Sequence, residues 1–473
     1  KGVLEVMKVT PEEAAPTTEE RPKAPGNFSI GGEAEKELIN QAVQDRKDIQ
    51  QGRAPFEKQW LVNIAHLYGK QYFSVKQSEK AGLEERVAWE LKNLERQKKT
   101  RRTVNYILPL YRSLLARMLQ FKQSIRVDPL TNQERDISSA RVSQEALEDF
   151  WETVNRTNPV LCQEYAGMMQ IIAKLFSYLL IIGSGYLKPW FNPAAKGRVV
   201  FENLGNAITF GTVGAVETVV EHPFNIFPDP MKAFIIHKNI YSTDYIDDLY
   251  NLKIEPEDVG MTDAEKQLMS LLEGGADNKY KNSCEVLEKW QHPSKKYPKG
   301  RLYICTKNKM LVEPTELPPE CRGRLPFYGF RYLDIMFAQP QGVIEQLIPS
   351  QEDYNFTVSR LYDYKKWING KVKIPDTCQI QSKYDDQVGQ IIKYNAAGGE
   401  PHFEAAPNPP SFILQEINRI RREMEDIAAV HDASQGRVPS GVRSGKALEN
   451  LSELDNSQLS PQLLHIEQQL GFF

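Results

Sequence analysis

Apolar residues recur every three to four positions along most of this chain, which is the spacing of an amphipathic helix. One such series begins at Leu108 and ends at Met118, and another joins Ile413, Ile417 and Ile420. The spacing predicts helices over residues 34–102, the first part of 104–130, 138–155, the apolar stretch from 171 to the glycines at 183–185, 242–252, 262–275, about 349–368, 410–436 and roughly 444–470. Helices therefore dominate the predicted secondary structure.

Capping and breaking residues mark where several of these helices begin and end. A serine is expected to cap the helix at 138–155, and Ser242 is a good N-cap followed by aspartates in the early turns. Pro349 suits the first turn of a helix but not its middle, so we place the start of that helix there. Gly436 is expected to stop the helix that begins near residue 410.

Alternating apolar and polar residues predict strands between the helices. They lie in YLKPWF (186–191), GRVVFENL (197–204), AVETVVEHPFNIFPDP (215–230), the hairpin pattern of 283–315, KVKIP (371–375) and GQIIKY (389–394). The predicted fold class is therefore α+β, mainly helical.

Length and charge narrow the class of protein. The chain has 473 residues, enough for two to four packing units and a large buried core. Hydrophobic residues make up 41% and charged residues 26%, as in an ordinary soluble globular protein. The net charge is −3. A protein that binds nucleic acid tightly through many phosphates normally carries a basic excess or stripe, so the charge disfavours that class.

The cysteines and the most apolar segment exclude further classes. The 5 cysteines are widely spread and form no C-x-x-C pair, which disfavours a disulfide framework and a zinc site and predicts a reducing compartment. The apolar stretch 171–187 carries Lys174 and ends in glycines, so we expect a buried core helix and no membrane span. Because the chain starts at Lys1 and stops in mid-pattern at its end, we expect the native polypeptide to continue beyond it.

One stretch, GVRSGKA at 441–447, is a candidate phosphate loop. Such a loop needs G-x-x-x-x-G-K-[S/T] after a strand, because its backbone N–H groups cradle phosphate and its hydroxyl binds magnesium. Here the glycines are one residue too close, Ala447 replaces the hydroxyl, and a helix precedes the loop. We therefore predict a hinge between two long helices.

Other enzyme patterns are also incomplete. The 7 histidines are scattered without H-E-x-x-H, and G-x-S-x-G does not occur. The carboxylate pairs Glu352-Asp353 and Asp247-Asp248 are adjacent on predicted helices, so the two side chains of each pair point apart. The run at 183–185 lacks the third glycine of a dinucleotide site. The sequence predicts no catalytic residue, no metal site and no cofactor.

Five sets of segments, in this order, resemble the portal proteins of tailed bacteriophages, most closely those of short-tailed phages. They are residues 101–130, with a helix and a V-x-P turn; 139–158 with 175–191; 222–250, with a Pro…Asp-Pro turn; 340–364; and 439–453. In the fourth, Gln351, Asn355 and Ser359 fall on one face of the predicted helix. The resemblance does not extend to residues 1–90 or to the end of the chain.

The resemblance implies a portal fold with wing, stem, clip and crown, assembled as a ring of about twelve subunits at one capsid vertex. The chain then divides as follows: 1–33, a flexible N-terminal arm; 34–240, the first part of the wing; 241–275, stem helices; 276–341, a β-rich clip; 342–370, the stem or channel helix; 371–440, the second part of the wing with the long helix 410–436; and 441–473, the start of the crown helix.

The resemblance also implies partners and a location. It implies a non-enzymatic ring through which double-stranded DNA passes during packaging and ejection, without sequence preference. The expected protein partners are further copies of the chain, the major capsid protein, a scaffolding protein, the packaging terminase, and then head–tail adaptor or tail proteins. The expected location is the capsid vertex of the virion, after assembly in the bacterial host cytoplasm.

The charge pattern agrees with such a channel. Sliding DNA must not be held, and each phosphate contact adds binding free energy through counterion release. We therefore expect Glu352, Asp353 and Asp363 to line the channel, with Lys365 and Lys366 as a weaker basic belt. The same five residues fit a solvated helix face or salt bridges between subunits equally well.

Two other functions stay open. A structural head or tail adaptor, or a scaffold protein, is also helical, but adaptors are usually shorter and lack a glycine-ended apolar core helix. A DNA-packaging enzyme needs a complete phosphate loop or metal-binding carboxylates. The basic cluster KNLERQKKTRR (92–102) fits a solvated helix face, and also a patch for an acidic partner or nucleic acid.

Overall fold

The computed structural model describes most of the chain from residue 32 onward. The described ranges are 32–72, 101–120, 125–155, 167–192, 199–204, 207–212, 214–257, 282–333, 339–367, 371–373, 402–404, 411–431 and 445–472, with a few single positions between 259 and 272 and between 375 and 399. The predicted N-terminal arm, most of the basic cluster, most of the helix at 262–275, the strand GQIIKY and the hinge before residue 445 lie outside these ranges.

Helices make up most of the regular structure within the described ranges. They are α1 (Gly32–Leu67), α2 (Ile107–Gln120), α3 (Glu134–Thr153), α4 (Met168–Ile182), α5 (Thr243–Tyr250), α6 (Val343–Trp367), α7 (Ser411–Ile427) and α8 (Gly445–Phe472), with a 3₁₀ turn at Pro319–Cys321. Among the described residues, no helix has the length and apolar content needed to cross a bilayer.

In the part of the chain that the structure describes, the strands form two larger antiparallel sheets and two small two-stranded ones. They are β1 (Ser184–Asn192), β2 (Val199–Leu204), β3 (Ala207–Thr212), β4 (Ala215–Glu221), β5 (Ile226–Asp229), β6 (Phe234–Ser242), β7 (Ser283–Gln291), β8 (Arg301–Cys305), β9 (Met310–Thr315), β10 (Tyr328–Arg331), β11 (Lys371–Lys373) and β12 (His402–Glu404). The larger sheets have the orders β10-β1-β4 and β5-β6-β7-β8-β9, and β2-β3 and β11-β12 pair separately. The α+β class predicted from the sequence is confirmed.

The chain folds as two compact units. The first comprises Lys1–Leu61, Lys122–Gln341 and Leu464–Phe473, and the second comprises Val62–Phe121 and Gly342–Leu463. Both larger sheets belong to the first unit, and α2, α6 and α7 belong to the second.

In the first unit, α1 packs on the five-stranded sheet. Its Ile39 and Ala42 join a core that includes Phe227, Ile236 and Leu287 from the strands. A buried ion pair lies beside this core, since Lys289 Nζ is 2.6 Å from Asp45 Oδ2. Desolvating two charges is costly, so the pair lends specificity to the packing of helix on sheet more than net stability.

The most apolar helix, α4, lies against the three-stranded sheet of the same unit. Eight of its apolar residues, from Met168 to Ile182, are buried, which confirms the core helix predicted from the sequence. It ends at Gly183, whose φ of 93° is in the left-handed region that favours glycine. A Cβ on Gly183 would lie 2.5 Å from the backbone carbon of Gln341, so the close approach also requires glycine.

Strand pairing links segments that are far apart in sequence. In the five-stranded sheet, β6 pairs with β7 along its whole length, from Phe234 opposite Gln291 to Ser242 opposite Ser283. The β-rich segment 276–341 therefore shares a sheet with the strands that precede it. The division of the chain into wing, stem, clip and crown stays a prediction.

Three predicted helix boundaries are wrong: the starts of α3 and α6 and the end of α7. The helix α3 starts at Glu134, and its N-cap Gln133 makes no side-chain capping bond, so no serine begins it. The helix α6 starts at Val343 and contains Pro349 in its interior. Proline cannot donate the helical hydrogen bond, but Ile344 and Leu347 are fully buried, and burial of this first turn outweighs the lost bond.

The third error concerns the end of α7, which stops at Ile427 and not at Gly436. The N–H of Val430 donates to the Glu425 carbonyl (3.0 Å), and that of Ala429 donates to the Asp426 carbonyl (3.1 Å). This pair of bonds, with Ala429 at a φ of 51°, is the Schellman arrangement in which glycine is usual. Because an alanine and not a glycine occupies the left-handed position, the sequence did not indicate the true end of α7.

Replacing Gly183 by alanine tests the close approach at the end of α4. We expect Gly183→Ala to lower the free energy of unfolding by about 2–4 kcal/mol, from left-handed strain and overpacking. Chemical denaturation measures the change. Gly52→Ala is the matched control: Gly52 is inside α1 with nothing within 4 Å, and the exchange should stabilise by about 0.5–1 kcal/mol. Equal behaviour of the two variants contradicts the interpretation.

Candidate functional site: a polar ladder and an open groove on one helix

In the second unit, the three faces of α6 differ in polarity and in burial. One face is apolar and buried, with Ile344, Leu347 and Tyr354. A second face is polar and also buried: Gln351, Asn355 and Ser359 are only 0%, 2% and 7% exposed. The third face is exposed, and it carries Glu352, Asp353, Phe356 and Arg360. The buried polar face and the exposed face together form the candidate site.

The buried polar face binds an extended segment that precedes α2. Gln351 Oε1 accepts from the N–H groups of Tyr106 (2.9 Å) and Ile107 (3.2 Å). Gln351 Nε2 donates to the Val104 carbonyl (2.9 Å). One side chain therefore satisfies three main-chain groups.

Asn355 and Ser359 continue the same pattern. Asn355 Oδ1 accepts from the N–H of Val104 (3.0 Å), and its Nδ2 donates to Gln71 Oε1. Ser359 Oγ accepts from the N–H of Arg102 (2.9 Å) and donates to the Asn355 carbonyl one turn earlier (2.7 Å). We call Gln351, Asn355 and Ser359 the polar ladder.

The spacing of the polar ladder matches an extended chain. Four residues of helix rise about 6 Å, and two residues of extended backbone advance about 6.6 Å. Gln351, Asn355 and Ser359 accordingly bind positions 106, 104 and 102, each two residues apart and in reverse order. The side chains of the polar ladder thus make the hydrogen bonds that a neighbouring β-strand would otherwise make, because the segment lies beside a helix.

The sequence showed that the three residues share a face, but not what they bind. Their partners outside α6 are 244 to 284 residues away in the chain, and no local pattern identifies them. The available signal was three polar side chains on a helix face flanked by apolar residues, which points to buried partners.

Cations lie on aromatic rings around the ladder. The guanidinium of Arg102 is 3.9 Å from the centroid of Tyr362, and that of Arg101 is 4.7 Å from Tyr72. The guanidinium of Arg360 is 5.0 Å from the centroid of Phe356, a ring with 58% of its surface exposed. Such contacts hold a long cationic side chain in place at modest energy.

The exposed face of α6 borders an open groove of about 710 Å³. The groove lies within the second unit. Its lining residues are Gln71, Tyr72, Arg101, Pro349, Glu352, Asp353, Asn355, Phe356, Ser359, Arg360 and Asp363. Three carboxylates and two guanidinium groups therefore share it, with two aromatic rings between them.

Three of the five predicted channel residues meet in this groove. Glu352, Asp353 and Asp363 all line it, and the Glu352 side chain is 62% exposed. Lys365 is exposed and lies 5.1 Å from the Tyr362 centroid, outside the groove lining. Lys366 belongs to α6, but its side chain is outside what the structure describes. Whether any of the five faces DNA stays a prediction.

A buried histidine lies behind Glu352. His66 Nδ1 donates to the Val62 carbonyl (2.9 Å), so Nε2 is the bare nitrogen, 3.8 Å from Glu352 Oε1. Burial lowers the pKa of His66, although Val62 and Glu352 act in the opposite direction. His66 is therefore neutral at pH 7 and adds no positive charge behind Glu352.

No group of three or more His, Cys, Asp or Glu side chains within the described ranges could hold a metal ion. Cys284 and Cys305 are not in disulfides, and burial raises the pKa of Cys305 to about 12. Gly445 starts α8 and Lys446 is exposed on it, whereas Gly441 lies outside the described residues.

Comparison with known families then identifies the region that carries the site. Residues 249–460 match the family model described as Phage P22-like portal protein. Over these residues the chain is similar to the P22-like portal proteins of phages. Its polar ladder and the α6 side of its groove lie inside the match, whereas the segment held by the ladder precedes it. A search among curated proteins finds no match.

The match confirms the resemblance to short-tailed phage portals that was drawn from the sequence. The matched region runs from the end of α5 through the strands β7, β8 and β9 to α8. It includes all five predicted channel residues, from Glu352 to Lys366.

Removing one side chain of the polar ladder tests whether these hydrogen bonds stabilise the fold. We expect Gln351→Leu to lower the free energy of unfolding by about 2–5 kcal/mol, because two N–H groups and one carbonyl that contact the fully buried Gln351 lose their partner. Denaturant titration followed by circular dichroism measures the loss. Gln415→Leu, at an exposed position on α7 of the same unit, should change stability by less than about 0.5 kcal/mol. Similar losses in both variants contradict the role of the ladder.

Proposed function

We propose that this chain is a phage portal protein, which assembles into a ring at one vertex of the capsid and surrounds double-stranded DNA during packaging and ejection. The observation that carries the proposal is the family match over residues 249–460. It covers α6, the longest described helix in the matched region apart from α8, together with its exposed acidic face. The mixed α+β fold is compatible with this function.

A closed ring places two requirements on each copy. The contacts between neighbours are heterologous, so one copy must present two different complementary surfaces. By resemblance to portals of short-tailed phages, we propose about twelve copies. The exposed apolar side chains on α3, such as Ile137, Val142 and Leu147, supply apolar area for such contacts.

We also propose that the exposed face of α6 lies near the DNA. Glu352, Asp353 and Asp363 place three carboxylates in one groove. Repeated around a ring, these charges repel the phosphates and keep the duplex mobile. Arg101 and Arg360 in the same groove lie on aromatic rings, which restrains their reach toward phosphates.

The remaining functional proposals concern partners. The β-rich segment 276–341 is proposed as the clip, where the packaging terminase docks first and a head–tail adaptor or tail protein afterwards. The wing is proposed to contact the major capsid protein, with scaffolding protein present during assembly in the host cytoplasm. The described strands β7, β8 and β9 form one edge of the five-stranded sheet, which is a firm support for a docking surface.

Imaging the purified protein tests the ring. We expect mass measurement to give a complex of about twelve chains and end-on electron micrographs to show a closed annulus with a central hole. Monomers or open filaments at micromolar concentration contradict the proposal. An adaptor or scaffold function gains support if a different, smaller assembly forms instead.

Charge reversal tests where DNA passes. We expect Glu352→Lys with Asp353→Lys to make the assembled ring bind a short duplex at least about tenfold more tightly at low salt, with a steeper salt dependence. Fluorescence anisotropy of a labelled duplex measures both. Glu134→Lys with Glu453→Lys reverses the same number of charges at exposed positions outside the groove. If both double variants bind DNA alike, the acidic face of α6 does not line the channel.

A further inference from the structure

The two larger sheets of the first unit face each other through a cluster of ionisable side chains. Lys188 and Glu221 come from β1 and β4 of the three-stranded sheet, where Glu221 pairs with Tyr186 and so lies on the same face as Lys188. His237 and Glu288 come from β6 and β7 of the five-stranded sheet and are directly opposite each other. We call these four residues the inter-sheet cluster.

Each contact between the sheets joins opposite charges or a donor to an acceptor. Lys188 Nζ is 2.6 Å from Glu288 Oε2, a close ion pair. On the other side of the imidazole, His237 Nε2 is 3.4 Å from Glu221 Oε1. The His237 ring is thus placed between two carboxylates from different sheets.

The second ring nitrogen, Nδ1, has neighbours of both kinds. Lys188 Nζ lies 3.0 Å away and Asn239 Nδ2 3.3 Å away, and both are donors. Glu288 Oε2 lies 3.4 Å away and is an acceptor. A neutral ring can accept from Lys188 at Nδ1, whereas a charged ring must donate from Nδ1, and Glu288 is the acceptor within reach.

The cluster is shielded from water. His237 is only 2% exposed, and the side chains of Lys188, Glu221 and Glu288 are each 13% exposed. Phe327 packs edge-on against the His237 ring at 5.8 Å, and Trp290 Nε1 donates to Glu288 Oε2 (3.2 Å). Charges in such a site interact more strongly than at the surface.

The net charge of the inter-sheet cluster depends on whether the His237 ring is protonated. Two carboxylates and one ammonium leave a net charge of −1 when the ring is neutral, and zero when the ring is protonated. A buried site is costly to hold with an unbalanced charge. The residue next to Glu221, His222, does not compensate, because burial lowers its pKa to about 4 and it stays neutral.

We propose that His237 is a protonation switch between the two sheets of the first unit. With the ring protonated, Nε2–H binds Glu221 and Nδ1–H binds Glu288, and one imidazolium joins both sheets. With the ring neutral, Nδ1 accepts from Lys188, one inter-sheet charge contact is lost, and the cluster carries a net negative charge. The proposal does not depend on the ring or the channel.

The direction of the pKa shift agrees with this geometry. Burial and Lys188 lower the pKa of His237, but Glu288 and Glu221 raise it more, so the pKa lies above 6.5 in the folded protein. A group with a raised folded pKa stabilises fully below its unfolded pKa and loses this contribution as pH rises through the folded value. The contacts between the sheets should therefore weaken above neutral pH.

Histidine hydrogen–deuterium exchange tests the switch on the full chain. The exchange rate of the ring C2–H follows the protonation of each histidine, and mass spectrometry of peptides resolves His237 in an assembly of any size. We expect a midpoint above 6.5 for the unmodified protein. We expect Glu221→Gln to lower the midpoint by about one unit and Lys188→Met to raise it, because each removes a charge of opposite sign beside the ring.

Controls separate the switch from general packing effects. Glu316→Gln removes a carboxylate of the same unit that pairs with Lys299, away from the cluster, and should leave the midpoint unchanged. A His237 midpoint below 6.5, or shifts in the same direction for Glu221→Gln and Lys188→Met, overturns the proposal. If either cluster variant fails to fold, the test uses the unmodified protein and the His237→Gln variant. We expect the thermal midpoint of the unmodified protein to decline between about pH 6.5 and 8.5, and that of His237→Gln not to decline. An equal decline in both proteins also overturns the proposal.

Discussion

Main-chain N–H groups that lie against a buried helix face need acceptors, and in the second unit the side chains of that helix provide them. The segment that enters α2 is extended, and a strand beside it would normally supply the hydrogen bonds. The polar ladder of α6 supplies them because its four-residue spacing of about 6 Å approximates two residues of extended chain. Local geometry of one helix thereby determines where a segment some 250 residues away must lie.

This constraint also accounts for the face that α6 leaves exposed. The apolar face packs within the unit, where the rings of Tyr354 and Tyr106 stack at 6.1 Å. The polar ladder is occupied by the extended segment. Charged residues can then occur only on the third face, since an unpaired charge on either of the others would be buried. The concentration of carboxylates in the groove follows from the packing of the other two faces, whatever the groove binds.

The first unit solves a different problem with buried charges. Asp45 with Lys289 joins a helix to a sheet, and the inter-sheet cluster joins one sheet to another. Such pairs contribute little net stability after desolvation, but a wrong register would leave a charge buried and alone. They therefore specify which faces meet, and in the inter-sheet cluster this specificity depends on the protonation of His237.

Several features could be predicted from the sequence because their causes are local. The apolar run of α4 and its glycine end, the Ser242 cap of α5 and the strand pattern of β7 to β9 were all predicted, and Ser242 Oγ does accept from the N–H of Tyr245 (3.2 Å). In the candidate site, the alignment of Gln351, Asn355 and Ser359 on one face was also a local property. The resemblance to portal proteins rested on patterns of this kind.

What only the tertiary structure decided involves partners distant in sequence. Pro349 lies inside α6 because buried residues before it outweigh its missing N–H, and Ala429 ends α7 because Ala428 and Val430 become buried in the closing turn. The backbone bound by the polar ladder, the arginines in the groove and the four members of the inter-sheet cluster come from segments that no periodicity connects. Periodicity reports which face of an element is apolar, whereas the hydrogen bonds and charges on that face depend on which other element packs against it.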